Sequence, residues 1–147
     1  MSHATPSEPE FDALRVQLLP AGQEAVKQTR DGKFYPFGAE LSADGTIKLV
    51  APQPEPGQVR IEPSVVKLLA HFRERLTDDA FRAFGICFAV KDAPPGATQK
   101  ADALMMHLES RNGMATQVFW PFRKKVLRGT EFGQHYAREV EPLIVGK

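Results

Sequence analysis

Apolar positions recur along the chain with two periods, and the changes between them mark the elements. Phe11, Leu14, Leu18 and Leu19 are spaced as one face of a helix. Ser7 and Glu10 precede them with capping-box spacing. Pro20 predicts a kink or an end, because proline removes a donor and clashes with the turn before it. Residues 23–28 then read as a second short helical piece, and Arg30-Asp31-Gly32 as a turn. Val65, Val66, Leu68, Leu69, Phe72 and Leu76 predict an amphipathic helix that starts at Pro63, ends within 76–84, and is closed off by Gly85.

Elsewhere the period is two. Residues 33–51 read as a β-hairpin around Ala43-Asp44-Gly45. A two-residue loop would pair Leu41 with Lys48 and mix polar with apolar positions on each face. A three-residue loop with Gly45 left-handed pairs Leu41 with Ile47 and Ala39 with Leu49, which gathers the apolar set on one face. Ile86-Cys87-Phe88-Ala89-Val90 is an apolar run of strand length and predicts a central strand. Residues 101–111 fit either a helix or a strand. Asn112-Gly113, a strong hairpin signal, favours the strand, with 114–122 returning and the basic stretch 123–129 leaving the sheet. The tail reads as extended or mixed, docked through Leu143, Ile144 and Val145. The order α-β-β-α-β-β-β-tail predicts an α+β fold, a five-stranded antiparallel sheet with helices packed on one face. It would form one domain over 8–147, after a disordered N-terminus of residues 1–7. The prolines at 52, 54, 56 and 63 mark a connector within that domain.

Composition narrows the function classes. The chain has 147 residues, 42% of them apolar, and a formal net charge of +1. Near-neutrality disfavours non-specific nucleic-acid binding. A single cysteine excludes an internal disulfide framework. No apolar run approaches the ~18–20 residues needed to span a bilayer, and no secretory signal opens the chain. A cytoplasmic protein is expected.

The search for chemistry returns no phosphate loop, dinucleotide fingerprint or nucleophile elbow. His3, His71, His107 and His135 fall at no metal-ligand spacing, so no metal, cofactor or catalytic residue is predicted. Cys87, within an apolar run, reads as a buried inert thiol. Asp78-Asp79 reads as helix-end solvation. Two aromatic tetrads, Phe34-Tyr35-Pro36-Phe37 and Phe119-Trp120-Pro121-Phe122, read as bulges with core aromatics or as the walls of a groove. Arg111, Arg123, Lys124, Lys125 and Arg128 lie in a stretch free of acidic residues beside the second tetrad.

A two-residue Asn112-Gly113 loop pairs Arg111 with Met114, which sets Met105 opposite Trp120, His107 opposite Val118 and Glu109 opposite Thr116. With helices on the other face, Met105, Val118 and Trp120 would form an open apolar patch, unless the tail covers it.

The segments Phe34-Tyr35-Pro36-Phe37-Gly38-Ala39 with Asp44-Gly45, Lys100-Ala101-Asp102-Ala103-Leu104 with Leu108-Glu109-Ser110-Arg111-Asn112-Gly113, and Pro121-Phe122-Arg123-Lys124-Lys125 together resemble a family of small uncharacterised bacterial proteins. The resemblance runs from about residue 34 to the end and implies a bacterial cytoplasmic setting and a paired-hairpin layout. It implies no activity.

The expectation is therefore a non-enzymatic interaction or regulatory module. Its partner is a second copy or another protein, bound through an open sheet face with Met105, His107, Val118 and Trp120 and the basic strand end. The alternative is a small anionic ligand, or an enzyme pocket, between the tetrads with Tyr35, Trp120, Arg123 and Lys124.

Overall fold

The computed structural model describes residues 8–51, 61–125, 127 and 129–146. The N-terminal residues 1–7, the proline-bearing connector 52–60, and Val126, Arg128 and Lys147 lie outside the described residues. The order is α1 (Glu8–Gln28), β1 (Phe37–Ser42), β2 (Ile47–Val50), α2 (Ile61–Arg75), β3 (Phe81–Asp92), β4 (Ala101–Ser110), β5 (Ala115–Lys125), β6 (Gly129–Phe132) and β7 (Tyr136–Glu139). The strands form one antiparallel sheet in the order β2-β1-β3-β4-β5-β6, with β7 also paired to β5.

The α+β class and the antiparallel sheet match the reading of the sequence; the strand count does not. There are seven strands among the described residues, because β5 continues through the basic residues to Lys125 and returns as β6 and β7. Gly-Thr-Glu-Phe and Tyr-Ala-Arg-Glu carry too few apolar residues for a two-residue period to stand out. The two pieces are one outer strand interrupted opposite Pro121. The Pro121 carbonyl accepts the Gly133 N–H at 2.7 Å. In an antiparallel ladder the amide of the same residue points the same way, and proline has none to offer.

The helices do not share a face. α1 lays Leu14, Leu18, Gly22 and Val26 on the side of the sheet that carries Ala39, Leu41, Cys87, Leu104, Met106 and Trp120. α2 lays Leu68 and Phe72 on the opposite side, against Phe81, Phe84 and Ile86. Glycines allow both approaches. A Cβ on Gly85 would lie 2.6 Å from a Leu18 methyl carbon. A Cβ on Gly38 would lie 3.2 Å from the Phe72 ring and 2.4 Å from the Gly85 carbonyl oxygen. Gly85 therefore sits mid-strand and does not close a helix. Phe72 stacks on Phe84 with ring centroids 4.6 Å apart.

α1 passes through Pro20 without a break. Pro20 is exposed, as is Val16 one turn earlier at 67%. The Val16 carbonyl that loses its helical donor lies on the water side, so solvent replaces the bond.

The first hairpin has the three-residue loop and register expected: Leu41 pairs with Ile47, Ala39 with Leu49, and Gly45 has φ 88°. The second hairpin has the same loop, Arg111-Asn112-Gly113, closed by Ser110 N–H to the Met114 carbonyl at 2.9 Å, with Gly113 at φ 89°. The Asn112 side chain accepts the Met114 N–H at 3.0 Å, which ties the turn in this form. The register is therefore one residue off the two-residue expectation: Leu104 pairs with Trp120 and Met105 with Phe119.

Candidate functional site

That one-residue difference redistributes the expected site. Val118 and Trp120 move to the α1 face, 4% and 6% exposed, in the core with Leu104 and Met106. Met105 is on the opposite face, 4% exposed, with Ala103 and Phe119. The open Met105/Val118/Trp120 patch does not form, because a slip of one residue exchanges the faces of a strand. The two tetrads do meet, but inside the core: Phe34, Trp120 and Phe122 belong to one buried cluster with Phe37 packed against it.

Three residues of the basic stretch are held by local structure. Lys124 donates to the carbonyls of Val26 and Lys27 at the C-terminus of α1, where a cation complements the helix dipole. Arg111 donates to the carbonyls of Phe81, Leu76 and Asp78 and pins the turn between α2 and β3. Lys125 pairs with Glu131 at 2.7 Å. Arg123 is exposed. Tyr35 lies on the other flank of α1, lining an apolar groove of about 420 Å³ with Ala21, Ala25, Pro36, Phe37 and Ala51. Tyr35, Trp120, Arg123 and Lys124 thus do not converge on one cavity.

His107 is the expected residue that does enter a polar constellation. It faces the α2 side at 1% exposure, and Glu109, two residues on and so on the same face, is fully buried. His107 Nε2 lies 2.8 Å from Glu109 Oε1, and Gln117 Nε2 lies 3.2 Å from His107 Nδ1. With the amide donating to Nδ1, the imidazole proton is on Nε2 and is donated to the carboxylate. Three consecutive backbone N–H groups complete the shell. Leu143 reaches Oε1 at 2.6 Å, and Ile144 and Val145 reach Oε2 at 3.0 and 2.8 Å. Burial pushes the Glu109 carboxyl up, but the His107 N–H and the three backbone donors outweigh it and hold the group below its ordinary value. The side chain of Ile144, 1% exposed, fills the apolar space beside Phe72, Phe81, Phe84 and Ile86.

A second buried carboxylate, Glu40 at 3% exposure, lies on the same sheet face under α2. It accepts Arg75 Nε at 2.9 Å, and Arg75 also reaches Asp78 at 3.1 Å. Near the outer strand, Asp92 accepts the Tyr136 hydroxyl at 2.5 Å and Arg138 Nη1 at 2.8 Å. The Arg138 guanidinium lies over the Phe119 and Tyr136 rings. Burial and the Asp92 carboxylate push the Tyr136 hydroxyl up to about 12. Both groups fasten an element to the sheet. Cys87 is fully buried and its thiol is pushed up by burial, the setting of an inert cysteine.

Sequence reasoning placed His107 and Glu109 on one face and passed over Gln117 and the tail amides. The signal available was His107 and Glu109, polar at alternate positions just after the apolar run 103–106. Comparison of the chain with protein-family models, curated proteins and solved structures returns no match. No helix among the described residues is long and apolar enough to cross a membrane.

Proposed function

We propose that this chain is a non-enzymatic protein-interaction module of the bacterial cytoplasm that self-associates by joining its β2 edge to that of a second copy. One observation carries the reading: among the described residues β2 ends the sheet, and Leu49 on it is 60% exposed. The hairpin fixes which groups that edge offers. Ser42 and Thr46 form a bonded pair, so Glu40–Lys48 and Gly38–Val50 are the bonded pairs that follow. Ile47 and Leu49 then turn their N–H and C=O groups outward. A two-fold axis through Leu49 pairs Leu49 with its own copy and Ile47 with Ala51. It places Lys48 beside Val50 of the second copy and so avoids facing lysines. The Leu49 pair would continue the apolar face of Ala39.

The rival reading, an anionic ligand between the tetrads, is the less favoured, since Lys124 bonds to α1 and Trp120 is buried. The test is light scattering behind size exclusion across a dilution series. A mass near twice 16.3 kDa is expected for the native chain. Leu49→Pro should be monomeric and folded, because the amide it removes points away from β1. A native chain that stays monomeric at the highest concentration, or a Leu49→Pro chain that remains dimeric, overturns the proposal.

A further inference from the structure

The C-terminal strap is held in a manner unlike the rest of the fold. From 140 onward, the strap is fastened to the sheet by one backbone bond, Val140 N–H to Ala115 carbonyl at 3.2 Å, and then by the Glu109 carboxylate. Leu143 is 42% exposed, Val145 half-buried and Ile144 fully enclosed. The strap's three successive amides form a nest around a carboxylate that the sheet supplies, the reverse of a protein nest that captures a peptide's carboxylate, and one aliphatic side chain is anchored next to it.

We propose that Glu109, its His107 support and the Phe72/Phe84/Ile86 pocket form a peptide-binding cradle, which the chain's own residues 142–146 occupy and from which they can exchange. The ligand class follows from the contacts. It is a peptide with three successive free amides, hence no proline at those positions, and an aliphatic residue in the middle. Pro142 precedes the three amides, and Gly146, with φ 79°, follows them. The cradle is already assembled without the strap's side chains, since Gln117, His107 and Glu109 come from β4 and β5 and the pocket from α2 and β3. A strap that leaves therefore opens the carboxylate and an apolar pocket to solvent together. A segment of the same chemistry refills both, the strap of a second copy being the nearest example.

Two measurements on the full chain test this. In native-state hydrogen exchange, the amides of Leu143, Ile144 and Val145 should exchange by local opening. They should be less protected than the β3 and β4 amides by on the order of 100-fold or more, and insensitive to low denaturant. Exchange of these amides only with global unfolding overturns the proposal. In the second measurement, a labelled peptide of residues 140–147 is titrated into full-length Ile144→Ala, whose own strap is weakened. It should bind at least about tenfold more tightly than to the native chain, where the tethered strap competes. Adding Glu109→Gln should weaken that binding by about tenfold or more. A folded Ile144→Ala chain that takes up no peptide refutes the cradle. If Ile144→Ala does not fold, the exchange measurement decides. Leu49→Pro should leave peptide binding unchanged, which keeps this cradle separate from the β2 edge.

Discussion

At Glu109 a carboxylate is fully buried, and four donors replace the water it has lost. Removing its charge while leaving four donors aimed at a neutral amide is expected to be severe: Glu109→Gln should lower stability by about 2–4 kcal/mol in a denaturant titration. The pH dependence follows from the direction of the shift. The folded group lies below its ordinary value of 4.5. Its contribution is thus present above that value and is lost as pH falls through the still lower folded-state value. Asp78 and Asp92 are depressed as well, by the Ala80 N–H and by Arg138 respectively, and act in the same direction. The native chain should therefore lose stability on the acid side of about pH 4.5, and Glu109→Gln should flatten part of that limb. An unchanged acid limb in the variant would mean that another group carries it. What made Glu109 hard to read is that its partners are backbone amides of residues 143–145, and an amide is the same on any residue. The Leu143-Ile144-Val145 run announced a docking segment but not the carboxylate that receives it.

The β1–β2 and β4–β5 hairpins use the same three-residue loop, yet only the first was legible. In the first, Leu41, Ile47, Ala39 and Leu49 distinguish the registers, since only one gathers them on a face. In the second, β4 is buried on both faces: Leu104, Met106 and Leu108 meet α1, while Ala103, Met105, His107 and Glu109 face the other layer. A strand buried on both sides carries no alternation, so the hydrophobic pattern cannot choose the register and the Asn-Gly preference chose wrongly. The same double burial explains the helices. A strand like β3, with Cys87 under α1 and Phe84 and Ile86 under α2, demands cover on both faces, and its unbroken apolar run was the sign. The glycines of this layer are tested by Gly38→Ala. Its Cβ would lie 2.4 Å from the Gly85 carbonyl oxygen, a backbone atom fixed within the ladder, as well as against Phe72. Overpacking of that kind should cost about 1–3 kcal/mol, read as a lowered midpoint in chemical denaturation, whereas Gly-to-Ala at an unstrained site is neutral or stabilising.

Among the described residues, α1 covers one side of the sheet and α2 and the strap the other, and the two sheet edges remain. They are not alike. The β6/β7 edge is broken opposite Pro121 and carries Glu131, Arg138 and Glu139, with Glu131 paired to Lys125. Interruptions and charges of this kind are the devices that keep an edge from pairing. The β2 edge is an uninterrupted Ile-Lys-Leu-Val with one charge and a 60% exposed leucine. A fold that guards one edge and leaves the other apolar has the asymmetry needed for closed pairing: two copies joined through β2 present only guarded edges at the ends of the continuous sheet. Such a dimer couples assembly to folding. By mass action the melting temperature of the native chain should rise with protein concentration, and Leu49→Pro should melt at the same temperature across the series. Concentration-independent melting of the native chain, together with a monomeric mass, would leave β2 as an edge that tolerates exposure. Concentration dependence that survives Leu49→Pro would move the contact elsewhere, first to exchange of the strap into the Glu109 cradle of a second copy.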